Sequence, residues 1–164
     1  MTGVQTCALP ICLGYLFQKP SQSESVAELN KQVSELKEMM MLSLLEKESP
    51  TERLKAVSLT NDMDQASQKV TTALLQALNV DENVNVRLAA LEALKPYVQD
   101  SKVREGLIRS IATQESPLVQ MSLAELMAAI HEKKSVSELK KLLRGDNVPK
   151  EVKKKINESI DVLI

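Results

Sequence analysis

The chain has 164 residues, of which 43% are hydrophobic and only 2% aromatic, with no Trp, four Gly and a formal net charge of −1. That balance excludes a general nucleic-acid binder, which needs a marked basic excess. An aliphatic composition so poor in aromatics and glycine points to an all-helical core and away from sheet architectures.

In chain order, Thr2-Gly-Val-Gln-Thr-Cys-Ala-Leu-Pro-Ile11 reads as the translation of a common short-read sequencing adapter. The triplets ACT GGA GTT CAG ACG TGT GCT CTT CCG ATC encode these residues in order, and a GTG start codon supplies Met1. On this reading residues 1–11 are an adapter-derived artefact, the gene is truncated upstream, and Cys7 drops out of the cysteine count. Cys12 alone says nothing about redox compartment.

Cys12-Leu-Gly-Tyr-Leu-Phe-Gln18 is a short apolar run followed by Lys19 and Pro20. Aromatics and a lysine in that order suit the exit of a membrane-spanning helix. Spanning needs about 20 apolar residues, so 12–18 is read as the remnant of a transmembrane helix end. The competing reading is a stray apolar tail. Residues 19–25, rich in Ser, Gln and Pro, form a linker, with Ser25 as N-cap and Glu28 at capping-box spacing.

Residues 26–47 read as one long amphipathic, coiled-coil-like helix. Val26, Leu29, Val33, Leu36 and Met40 alternate at steps of three and four, an a/d seam with Glu28, Lys31, Glu35, Lys37 and Glu38 outside it. Two readings stay open: a parallel homodimer through 26–47, or a lone helix packing back on the helical region after residue 49. Met39-Met-Met41 with Leu42, Leu44 and Leu45 is apolar all round, so this end is expected to be buried; a pliable binding surface is the alternative.

Ser49-Pro50 and Ser116-Pro117 are helix starts, with Pro where no backbone donor is missed. Turn signals at Asn61-Asp62, Asp81-Glu82, Gln99-Asp100 and Gly145-Asp146 divide the remainder into helices at 50–60, 66–79, 84–98, 102–113, 117–131, 136–143 and 149–162. Pro96 is expected to kink the 84–98 helix. In that helix Val84, Leu88, Leu91, Leu94 and Val98 form one stripe, and Ala89, Ala90 and Ala93 keep a second face thin enough for a close neighbour.

The helices repeat. Val84-Asn-Val-Arg87-Leu-Ala-Ala-Leu91 aligns with Pro50-Thr-Glu-Arg53-Leu-Lys-Ala-Val57, then with Pro117-Leu-Val-Gln120-Met-Ser-Leu-Ala124 and a degenerate Pro149-Lys-Glu-Val152-Lys-Lys-Lys-Ile156. The starts are roughly 32–34 residues apart, which is solenoid spacing. One such unit cannot bury its own stripe, so it stacks on its copies, and the lysine-rich last copy suits a cap. The pattern resembles HEAT repeats over residues 49–164. The resemblance implies a short right-handed α-solenoid of helical hairpins. It also implies an Asp/Arg ladder through Asp81 and Arg87, with Glu48 and Arg53 one repeat earlier. Gln120 and Val152 replace the arginine later, so the ladder is expected to stop after the second unit.

Chemistry is sparse. His131 is the single histidine and sits at a helix C-terminus, a capping position. With no second His and no second Cys outside the adapter segment, a Cys/His metal site cannot be assembled, and no cofactor is implied. Glu92 and Glu125 lie one repeat apart and read as solvated acids. Basic residues concentrate at one end, in Lys133, Lys134, Lys140, Lys141, Arg144, Lys153, Lys154 and Lys155. They mark either a partner-binding end or a solvated cap.

Glu35-Leu-Lys-Glu-Met-Met-Met-Leu-Ser-Leu-Leu45, Ser49-Pro-Thr-Glu-Arg-Leu54, Asn83-Val-Asn-Val-Arg-Leu-Ala-Ala90 and Gln114-Glu-Ser-Pro-Leu-Val-Gln120 resemble a family of bacterial membrane proteins similar to zinc-finger anti-sigma factors. The resemblance runs from about residue 13 to the end. It implies a membrane-anchored protein whose solenoid lies outside the cytoplasm as a sensing or scaffolding module with a protein partner. The family's zinc-finger Cys/His motif is absent, so no ligand residue carries over. The alternatives are an inert dimerisation stalk with a cap, or a helical-repeat enzyme such as a lyase or DNA glycosylase. The enzyme needs aromatics in a basic groove, and the repeats offer only Tyr97.

Overall fold

Helix boundaries follow the punctuation in the sequence. The computed structural model describes residues 22–63, 65–145 and 148–164. The adapter-like residues 1–11, the apolar run 12–18 and residues 19–21 lie outside them. Among the described residues eight α-helices occur in order: α1 (Gln22–Leu45), α2 (Pro50–Ser58), α3 (Gln68–Val80), α4 (Val84–Leu94), α5 (Ser101–Thr113), α6 (Pro117–Ala129), α7 (Val136–Leu143) and α8 (Lys150–Leu163). No strand occurs among the described residues.

The caps explain the starts. Pro50 and Pro117 open α2 and α6 without a side-chain cap. At α3, α4 and α5 the Ser67, Asn83 and Asp100 side chains accept from the backbone N–H groups of Val70, Asn85 and Lys102. Ser25 is not a cap: α1 already begins at Gln22, so residues 22–25 are helical and not linker. Pro96 ends its helix and does not kink it. The α-helix stops at Leu94 and the chain continues as a 3-10 turn over Lys95–Tyr97, because the proline ring cannot donate and crowds the carbonyl four residues back.

The chain divides into two units, residues 1–33 and 34–164. In the first, the described residues are the opening turns of α1. In the second, the helices form two layers: α2, α4, α6 and α8 lie side by side in one, and α3, α5 and α7 in the other. This is the stacking of an α-solenoid, each helix packing on its counterpart one repeat away. Large side chains buried along the seam include Leu74, Leu78, Leu91, Leu107, Leu123 and Ile156.

α4 is more deeply set than one stripe requires. Val86, Ala90, Leu91 and Leu94 are fully buried and Ala93 nearly so, while Val84, Leu88 and Val98 are only partly covered. The small Ala face admits a neighbour, as expected, and α4 packs on α2, α3 and α6 together. Gly106 has a similar role between α3 and α5: a Cβ there would stand 2.5 Å from Leu75 Cδ1.

The methionine cluster splits. Met41 is fully buried and Leu42, Leu44 and Leu45 pack partly on the core, whereas Met39 and Met40 are exposed. The 34–45 stretch of α1 is tied down by Lys37 Nζ, which donates to the Asp62 carbonyl, and by Glu38, which accepts from Ser67 Oγ.

Candidate functional site

The ladder residues are brought together only in part. Arg53 and Asp81 form a two-pronged ion pair between the first and second repeats, Nε to Oδ2 at 2.7 Å and Nη2 to Oδ1 at 2.9 Å. Asp81 also accepts from the Asn83 N–H, which fixes its rotamer at the end of α3. The remaining Arg53 nitrogen, Nη1, donates to the carbonyls of Lys47 and Glu48. Bonding to the Asp81 carboxylate holds the guanidinium pKa above its ordinary value. Glu48 therefore supplies a carbonyl and not a carboxylate; its side chain is exposed.

Arg87 makes no rung. Its Nε is buried with no hydrogen-bond partner. A rung joins the arginine of one repeat to the acid of the next. The third repeat holds Gln114 where the second holds Asp81, so the ladder ends one junction earlier than the arginine pattern suggested. The Gln114 amide turns to the Leu78 carbonyl instead, and Gln120 donates to the Gln114 carbonyl.

The second junction is held from the other layer, by a pair that the alignment of first helices could not show. Arg104 in α5 lies 3.4 Å from Glu132, while its Nη1 donates to the carbonyls of Val98 and Gln99. The geometry copies the first rung. In both, the carbonyls lie five and six residues upstream and the acid 28 residues downstream.

The basic end is partly neutralised. Lys141 pairs with Glu138, Lys154 with Glu158, and Lys155 with Glu125. The hydrogen bond and charge of Glu125 raise the Lys155 pKa above its ordinary value. Lys133, Lys134, Lys140, Arg144 and Lys153 have no ion-pair partner among the described residues. Glu125 is thus engaged, and Glu92 pairs with Lys95.

His131 caps α6 through its backbone. Its φ is 51°, its N–H donates to the Ala128 carbonyl, and the Glu132 N–H reaches back to Met127. That is a Schellman motif with histidine at the left-handed position where glycine is usual. Its side chain is exposed.

A concavity of about 590 Å³ opens between the first and second repeats and is lined by Met63, Thr71, Pro96, Tyr97 and Asp100 among others. Tyr97 stands at its wall, and burial raises its phenol pKa. Among the described residues no three His, Cys, Asp or Glu side chains are grouped to hold a metal ion.

A family model for HEAT repeats matches residues 71–161. No curated protein and no solved structure matches the chain. With more than half its length matched and its helices stacked in two layers of successive repeats, the chain belongs to the HEAT-repeat family.

Proposed function

We propose that the chain is a non-catalytic interaction module that presents a stacked-repeat surface to an acidic protein partner, as the extracytoplasmic sensing part of a membrane-anchored regulator. HEAT repeats generally mediate protein–protein interaction and are typically scaffolds without catalysis. The observation that carries this reading is the concentration on the third and fourth repeats of cations without an ion-pair partner among the described residues, namely Lys133, Lys134, Lys140, Arg144 and Lys153. Lysines of this kind steer an acidic surface at long range.

The membrane part of the reading rests on the resemblance to anti-sigma-factor-like proteins and on the Tyr15, Phe17, Lys19 order. No described helix is long and apolar enough to cross a membrane.

The test is capture from bacterial envelope extracts by the full chain, beside a variant in which Lys133, Lys134, Lys140, Arg144 and Lys153 are all changed to Glu. The expected result is one or more acidic proteins held by the native chain, released by salt, and absent from the variant. Equal capture by both chains, or none by either, refutes the basic end as the docking face.

A further inference from the structure

α1 carries two apolar faces, and the fold uses one. Met41 faces the repeats and is fully buried. On another side of the same helix Val26, Leu29, Val33, Leu36 and Met40 remain 43–62% exposed. All residues from Ser25 to Leu36 are exposed, on every side of the helix. A bare helical stretch of that length is marginal in water without packing.

We propose that this stripe is covered by the same stripe of a second copy, in a parallel, in-register two-stranded coil along α1. The spacing places Val26, Val33 and Met40 at a and Leu29 and Leu36 at d. Valine at a with leucine at d is the combination that favours two parallel strands. The flanking e and g positions fit a like partner. Ser25, Asn30, Gln32 and Met39 carry no charge, and Lys37, the one charged flank, is drawn to the Asp62 carbonyl. Glu28, Lys31, Glu35 and Glu38 lie at outer positions, where two copies do not set like charges against each other. Gln32 also binds back to Glu28, which keeps that carboxylate off the seam. A contiguous apolar stripe of this kind marks an interaction surface, and its self-compatible flanks select a second copy as the occupant.

Sedimentation of the full chain tests the pairing, and its readout is separate from partner capture at the basic end, so either can fail alone. Rising concentration is expected to double the 18.2 kDa chain mass. The variant Leu29→Lys/Leu36→Lys is expected to stay monomeric with its repeats folded, shown by an unchanged cooperative unfolding transition. A native chain that remains monomeric up to about 1 mM, where even millimolar association is half complete, overturns the proposal, whether the stripe is bare or covered by residues 12–18. A double-lysine variant that still dimerises overturns it too. Direction is read by Val26→Cys in a Cys7→Ser/Cys12→Ser background. Oxidation is expected to give a covalent dimer, which only parallel in-register helices permit at that end. A dimer that resists this cross-link refutes the parallel arrangement.

Discussion

Leu91→Ala probes whether the repeats share one continuous core. Leu91 is fully buried near the middle of α4, which packs on α2, α3 and α6 at once. The substitution removes three carbons. At about 0.8 kcal/mol per buried methylene the transfer loss is roughly 2.4 kcal/mol. A cavity cost is added, because helices fixed on three sides close poorly over a void, and the total should reach about 3–4 kcal/mol. Urea unfolding followed by helical circular dichroism measures it, with m-values compared to confirm that the same surface is exposed on unfolding. Leu118→Ala is the control: Leu118 is 55% exposed in the first turn of α6, and its loss should cost less than about 0.5 kcal/mol. If Leu91→Ala also falls below that figure, α4 does not lie between its neighbours and the stacked architecture is wrong.

The two arginines that the repeat pattern makes equivalent should behave differently. Arg53→Met should lower the urea midpoint, because it strips the nearly buried Asp81 carboxylate of its partner. Arg87→Met should leave the midpoint within about 1 kcal/mol of native or raise it, since the buried Nε has no bond to lose. Loss of equal size in both refutes the rung assignment. His131→Gly should stabilise by about 1 kcal/mol, because glycine enters the left-handed region at φ 51° without the Cβ clash; an unchanged or lower midpoint counts against the Schellman reading. Alkaline pH should destabilise. The Lys155 and Tyr97 pKa values are both raised in the folded chain, so each contributes a proton affinity that is fully present below the unfolded values of 10.5 and 10.0. Stability should therefore fall as pH rises through and above that range, and a Lys155→Met/Tyr97→Phe chain should show a flatter profile in the same urea assay.

Much of the architecture could be read from the residues, because helix starts are local chemistry. Ser-Pro at 49–50 and 116–117, and the turn pairs Asp81-Glu82 and Gln99-Asp100, placed the starts of α2, α4, α5 and α6 within a few residues. The reading failed where distant neighbours decide. Periodicity chose Val84 for the α4 stripe, but α4 is enclosed by three helices and the fully buried position is Val86. The heptad stripe of α1 was clear, yet nothing local could show that Met41, off the stripe, would be the residue to enter the core. For the candidate site, the Arg53 pairing depended on a carboxylate in the next repeat, and sequence alignment of arginines alone hides that direction. Arg104 and Glu132 were invisible to it for a related reason: they belong to the other layer, out of phase with the repeat that carries Arg53.

Among the described residues, each of the three junctions between successive repeats holds one inter-repeat ion pair, and no two use the same positions. Arg53–Asp81 closes the first, Arg104–Glu132 the second and Lys155–Glu125 the third. Side-chain exposure rises along that series, from 14 and 6% to 31 and 14% and then to 37 and 55%. Screening by salt acts on exposed pairs first, so the grip between repeats should weaken with ionic strength from the C-terminal end inward. That gradient has a structural cause. The first pair is doubly hydrogen-bonded, with its acid locked by the Asn83 N–H; the second retains the carbonyl anchors but a longer contact; the third is a single lysine contact from α8 to α6. A repeat array is as cooperative as its weakest interface. Hydrogen exchange at rising salt should therefore quicken first in α8, before α6, and last in α2 and α4. Exchange that quickens uniformly would mean that the apolar seam alone couples the repeats and that the ion pairs contribute nothing measurable.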